Sequence, residues 1–198
     1  MSRNKGFTLI ELIIVIALIA LLATTVILVI NPVKIFKEAR DSQRIADVGQ
    51  MNSAMSLYTA TAGTIAMGTA NTCYAHMASG AAGTSWAASC NSRHTATLVA
   101  TTTSQSVTTG TGWVPVNLTN VSGGQPLSAW PVDPKPAFTA LATTSYYYSY
   151  VPDPTNTTWE FNAHMESDRY KNGGGDDVET TDGGSNVNAF EIGTSTAL

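Results

Sequence analysis

The chain has 198 residues, a formal net charge of −4 and two cysteines. That acidic balance argues against a protein that coats nucleic acid, because neutralising phosphate takes an excess of Lys and Arg; a local basic patch is still allowed. Both cysteines lie beyond the first apolar segment, which suits an oxidising compartment, and enough chain follows that segment for one head domain with its own core.

Met1 to Lys5 carries Arg3 and Lys5 and reads as a short basic leader that stays cytoplasmic. From Phe7 to Ile30 the only strongly polar side chain is Glu11. Twenty-four residues at about 1.5 Å each give roughly 36 Å, which spans a bilayer core of about 30 Å with some tilt. A carboxylate inside such a segment costs on the order of a few kcal/mol, so Glu11 needs a partner and a role. A plain anchor with Glu11 near the headgroups is one reading. A secretory signal peptide fits poorly, since its apolar region is about 7–15 residues long and ends in an A-x-A-like site. Here the run is longer, and Ala17, Ala20 and Ala23 are wrongly spaced.

The stretch Lys5-Gly6-Phe7-Thr8-Leu9-Ile10-Glu11 and the apolar run behind it resemble the start of type IV pilin and pseudopilin precursors. The likeness is strong from Met1 to about Ala60 and looser beyond. It implies an α+β pilin fold, in which a long helix, transmembrane and then amphipathic, packs on a small antiparallel sheet. In architecture it is closest to the major pseudopilins of type II secretion. It also implies that a membrane-embedded prepilin peptidase cuts between Gly6 and Phe7 and methylates the new N-terminus. The mature chain then polymerises with identical or related subunits on an inner-membrane platform served by a separate ATPase. Cleavage creates an α-amine at Phe7, with a reference pKa of about 7.7–8.0, that can pair with Glu11 of its own chain or of a neighbour; the resemblance favours the neighbour. The implied location is the inner membrane, leader inside and head outside, followed by an extracellular or periplasmic filament.

On this reading residues 1–6 are the leader, 7–30 the transmembrane helix, 31–62 its amphipathic continuation and 63–198 the head. Asn31-Pro32 interrupts the helix, because Pro32 has no N–H for the carbonyl of Leu28. Beyond it Val48, Met51, Met55 and Tyr58 step by three and four and should pack on the head's sheet, while Arg40, Arg44 and Asp47 face elsewhere. Lys37–Asp41 and Asp41–Arg44 are spaced to pair along a solvated helix face. Lys34, Lys37, Arg40 and Arg44 run against the rule that places basic residues inside; long domains translocate regardless of charge.

The helix fades between Ala60 and Gly63, and from Asp47 to Asp133 the only charged residue is Arg93. A neutral stretch rich in Ser, Thr, Ala and Gly suits a crowded fibre or a coat of O-linked sugars; the plainer reading, for 60–92, is a loosely ordered loop. Within it Cys73, His76, Cys90 and His94 offer two Cys and two His at spacings that superficially resemble a zinc site. The extracytoplasmic setting favours a Cys73–Cys90 disulfide instead, worth about 3 kcal/mol on chain-entropy grounds.

Later runs read as strands. Thr95 to Thr103 is β-branched, and Val114 to Leu118 carries Pro115, which confines it to an edge. Tyr146 to Val151 should pair as a hairpin with Trp159 to Met165, whose alternation leaves Glu160, Asn162, His164 and Glu166 on a polar face. A short strand follows at Ala189 to Ile192. Between Asn172 and Asn186, four acids crowd into seven residues beside two glycine runs. Asp176, Asp177, Glu179 and Asp182 are therefore candidate calcium donors, a reading the likeness to major pseudopilins strengthens, against a solvated acidic loop. No other cofactor is required. No nucleophile elbow, phosphate loop or metalloprotease motif is present, so the chain reads as a structural subunit and not an enzyme. The alternative is a membrane-anchored surface-binding module, such as a minor pilin, adhesin or DNA-uptake receptor, with Tyr146, Tyr147, Tyr148 and Tyr150 as an aromatic patch.

Overall fold

A computed structural model of the protein describes residues 6–76, 90, 93–96, 98–102, 107–135 and 146–198, the side chains of 28–29 and 98–102 excepted. The chain divides into two compact units, Met1–Lys37 and Glu38–Leu198.

The first unit is dominated by α1, Leu9–Ile30. Its large apolar side chains from Leu9 to Ile27 are exposed, and that stretch is long and apolar enough to cross a membrane. The helix stops at Asn31, which takes a left-handed conformation (φ 45°, ψ 79°). Asn tolerates that region because its short polar side chain can bond locally, here accepting from the Lys34 N–H. Pro32 then opens α2, Pro32–Thr61, at the first helical position, where its missing N–H has no partner to lose.

Within the second unit α2 buries Val48, Met51, Ala54, Met55 and Tyr58, the stripe spaced by threes and fours. Asp41 and Arg44 are inaccessible too, which corrects the expectation of a solvated charged face. Periodicity cannot see the reason: Asp133 and Glu166, distant in sequence, bring the counter-charges that make burial tolerable.

The sheet consists of β1 Thr72–His76, β2 Leu98–Thr102, β3 Ser149–Asp153, β4 Thr158–Ala163 and β5 Phe190–Gly193, in the order β2-β1-β3-β4-β5. β1, β3, β4 and β5 are antiparallel, so the chain has an α+β, pilin-like arrangement of helix on antiparallel sheet. β2 departs from it by joining β1 in parallel, Thr72 opposite Leu98 through His76 opposite Thr102. The β3–β4 hairpin sets Tyr150 opposite Phe161, and these rings stack at 4.9 Å with Trp130 and Trp113 around them. That aromatic group, with Trp159 and Ala163, meets the α2 stripe in the main core.

Further expectations are corrected. β1 lies in the stretch read as loosely ordered. Val114 to Leu118 is no strand: it makes one isolated bridge, Thr109 with Asn117, and runs into a 3-10 turn at Leu118–Asn120. Pro115 has no N–H for a ladder, yet Val114, Val116 and Leu118 still fill the core. The polar face of β4 is not solvated, since Glu160 and Asn162 are buried beneath a second small cluster of Cys73, Ala75, Cys90, Ala96, Tyr147 and Val151. Tyr147, Tyr148 and Tyr150 are buried as well, so they form no exposed patch. Cys73 and Cys90 are joined as a disulfide, which removes both thiols from any zinc site. Much of the neutral Ser/Thr/Ala-rich stretch, and with it the sugar-coat and fibre-crowding readings, lies outside the described residues.

Candidate functional site

The N-terminal motif has a definite local geometry. Residues 6–8 precede the helix in a non-helical conformation, Gly6 is exposed with open space where a Cβ would stand, and Phe7 is 92% exposed. Thr8 is the N-cap of α1, extended at φ −81° and ψ 154°. Its N–H and hydroxyl both donate to Glu11 Oε2 at 2.8 Å, and the Glu11 N–H donates back to Thr8 Oγ1 at 3.3 Å. This is a reciprocal capping box that satisfies two of the helix's otherwise unpaired N–H groups. Thr8 is thus the partner of Glu11 that the sequence reading passed over, although the signal, Thr-x-x-Glu ahead of an apolar run, was present. The box holds the Glu11 carboxylate one residue from the Gly6-Phe7 junction.

A second constellation ties α2 to the rest of its unit. Arg44 donates to both oxygens of Asp133 at 2.8 Å and to Asp41 Oδ1 at 2.7 Å, and none of these side chains is more than marginally accessible. Asp41 also accepts the backbone N–H groups of Glu166 and Ser167 at 2.8 and 2.7 Å. Arg40 grips Glu166 with two bonds, and Lys135 adds a third at 2.9 Å. Burial pushes the Glu166 carboxyl up, but the bonds from Arg40 and Lys135 outweigh it and hold the group down at about 2. For Arg44, burial opposes the charge and Asp133 and Asp41 more than restore it, so it stays charged.

On the far face of the sheet lies a closed polar network. His94 Nε2 is 2.9 Å from Ser149 Oγ, and His94 Nδ1 is 2.9 Å from Glu160 Oε1. These distances match a Ser-His-carboxylate relay, but the serine hydroxyl donates onward to Asn162 Oδ1 and all four residues are buried. The Asn162 amide also spans Glu160 Oε1 at 2.8 Å and Glu191 Oε1 at 3.5 Å, bringing two buried carboxyls together. His164, expected in solvent, is largely covered and sits 3.9 Å from Glu179.

The four acids proposed as calcium donors are spread over separate duties. Asp176 pairs with Arg169. Asp177 accepts the N–H groups of Gly173, Glu179 and Thr180, and Glu179 those of Met165 and Asn172. Asp182 accepts from Gly184 and Glu191. Among the described residues no three His, Cys, Asp or Glu side chains are grouped so as to hold a metal ion.

Residues 1–27 match the family of the prokaryotic N-terminal methylation motif. The chain carries that motif on an apolar N-terminal helix, consistent with a type IV pilin or pseudopilin. Comparison with curated proteins and with solved structures returns no match for the chain.

Proposed function

We propose that this protein is a structural subunit of a type IV pilus or of a type II secretion-like pseudopilus, cleaved between Gly6 and Phe7 and methylated at Phe7 by a prepilin peptidase. One observation carries the reading: an exposed, non-helical Gly6-Phe7 junction stands directly before a membrane-length helix whose single acid, Glu11, is held at that junction by Thr8. In the inserted precursor the capping box occupies Glu11. After cleavage the new ammonium at Phe7 is the stronger partner, because it adds the attraction of a full opposite charge in an apolar setting, which the neutral donors of Thr8 cannot supply. Glu11 of one chain can then pair with Phe7 of the next, and parallel stems gain register from it. The leader lies on the cytoplasmic side of the inner membrane and the head on the other side, and the assembly platform and its ATPase are separate proteins. The role is structural and not catalytic.

Two measurements on cells that possess the peptidase test this. Mass spectrometry of the extracted protein should find it beginning at N-methylated Phe7. Glu11→Ala should leave insertion and cleavage intact, since removing a charge favours the bilayer, and should abolish or strongly reduce filaments. Normal filament yield from Glu11→Ala refutes the pairing. Processed protein that never forms filaments, even as wild type, identifies an anchored surface-binding module instead.

A further inference from the structure

Asn172-Gly173, in the acidic loop, is the only Asn-Gly pair in the chain, and filament assembly makes no use of it. The carbon of an asparagine amide is an electrophile. The main-chain nitrogen of the next residue is the nucleophile nearest to it, and joining the two closes a small, unstrained ring. That ring forms where the side chain is free, where the following residue does not crowd the nitrogen, and where water reaches the product.

The structure sorts the asparagines by these conditions. Asn31, Asn52, Asn117, Asn156, Asn162 and Asn186 have side chains engaged in hydrogen bonds, and Asn71 has an interaction of its own. Asn120, Asn172 and Asn188 are exposed, and among the described residues their side chains make no bond. Asn120 precedes Val121, a buried residue whose branched side chain is stiff and stands beside the nitrogen. Asn188 precedes Ala189, which is buried. Gly173 has no Cβ. It takes a φ of 79°, in the left-handed region that favours glycine, and a Cβ built there would meet nothing within 4 Å, so the space around it is open. Its N–H donates to Asp177 Oδ2 at 2.8 Å.

We propose that Asn172 is a self-modifying site, converted without an enzyme to aspartate and isoaspartate. The Gly173 nitrogen bonds to Asn172 Cγ, the Cγ–Nδ2 bond breaks, and Nδ2 leaves as ammonia with the proton that Gly173 gives up. Asp177 Oδ2 is the acceptor through which that proton can pass. Water then opens the cyclic imide. Breaking the bond from nitrogen to Cγ restores the main chain and leaves aspartate; breaking the bond to the main-chain carbonyl carbon routes the chain through Cβ and Cγ and leaves isoaspartate. Water is the only co-reactant. Either product adds a negative charge beside Asp176, Asp177 and Glu179. The iso product also lengthens the main chain between two anchor points, the residue 172 N–H on Glu179 Oε2 at 2.9 Å and the Gly173 N–H on Asp177. Conversion therefore charges the loop and loosens it. The chemistry does not rest on the filament reading; on that reading the head grows more acidic as a filament ages.

The test incubates the full chain in detergent at neutral and mildly alkaline pH and follows it by peptide mass spectrometry, with aspartyl and isoaspartyl peptides separated. The expected result is the mass gain of an amide turned acid at Asn172, rising with time and with pH, with both isomers present, while Asn120 and Asn188 stay unconverted. In Asn172→Gln, whose ring would be one atom larger, the gain at this position is lost and the thermal melt is unchanged. An Asn172 that survives intact, or that converts no faster than Asn120 or Asn188, overturns the site. Conversion to aspartate without isoaspartate excludes the cyclic imide and overturns the self-modification.

Discussion

Replacing Arg44 by Met is the sharpest test of how α2 is held. Arg44 makes three charge-assisted bonds at 2.7–2.8 Å with no exposure to water. Met fills most of the aliphatic volume but supplies no charge, so Asp41 and Asp133 are left buried without their cation. Asp41 keeps two backbone N–H donors and Asp133 keeps one, from Lys135, which softens the loss without cancelling it. Breaking a buried pair by removing one partner costs about 3–5 kcal/mol. Against a total stability of about 5–15 kcal/mol, that is a fifth of the whole or more, and it corresponds to a fall in Tm on the order of 10 °C for a unit of this size. Arg40→Met is the internal comparison. Its side chain is 29% exposed and Glu166 retains Lys135, so the loss is at most about 1 kcal/mol. Fluorescence of the buried Trp113, Trp130 and Trp159 during heating of the full chain in detergent reads both variants. Adding Asp133→Leu to Arg44→Met should recover part of the loss, because the stranded carboxylate goes with it. If Arg44→Met melts no lower than Arg40→Met, the buried ion cluster does not hold the helix.

Three further outcomes follow from the same geometry. Burial, offset in part by the Asn186 N–H and reinforced by the Glu160 carboxylate, pushes Glu191 up to about 8. A folded value above the unfolded one, about 4.3, gives stability that is complete in acid and lost as pH rises toward 8. Glu191→Gln should therefore flatten the fall in Tm between about pH 5 and pH 9, and an unchanged slope contradicts the raised Glu191 value. Reducing the Cys73–Cys90 bond, which closes a separation of 17 residues within the second small cluster, should cost about 3 kcal/mol in denaturant unfolding; equal midpoints with and without reductant argue against it. Calcium binding by the loop from Asn172 to Asn186 is a proposal supported by its density of acids, and binding must draw together carboxylates now engaged with separate backbone N–H groups. A higher Tm with calcium than with chelator supports it, and identical values remove the metal from the loop.

What could be read in advance divides along a physical line. The apolar run, the α2 stripe and the β3–β4 hairpin are local periodicities, and a period of 3.6 or 2 is visible in a single sequence. The strand β2 was legible within Thr95 to Thr103, but its parallel pairing was not, because such pairing is set by distant chain that must cross over, and β1 was hidden in a stretch whose composition suggested looseness. The burial of Asp41, Arg44, Glu160 and Asn162 was missed for a related reason. Each is polar by type, and only the arrival of Asp133, Glu166, His94 and Glu191 from elsewhere in the chain makes an interior position affordable. Glu11 stood out without a structure because it has no company in its segment, whereas its partner Thr8 is an unremarked hydroxyl until the helix start is located.

That partner bears on how a subunit can wait in a membrane. A carboxylate at the start of a bilayer-spanning helix is costly if bare, and a polymerising chain must carry one before any neighbour arrives. The Thr8–Glu11 box addresses this locally: the acid accepts an N–H and a hydroxyl from its own first turn, where the positive end of the helix dipole also favours it. Both donors are neutral, so the hold is weaker than the bond an ammonium makes with a carboxylate. On the proposed function, assembly would exchange this neutral partner for a charged one. The same residue would then be tolerated in the monomer and productive in a filament, because the stronger partner would exist only after a cut between Gly6 and Phe7.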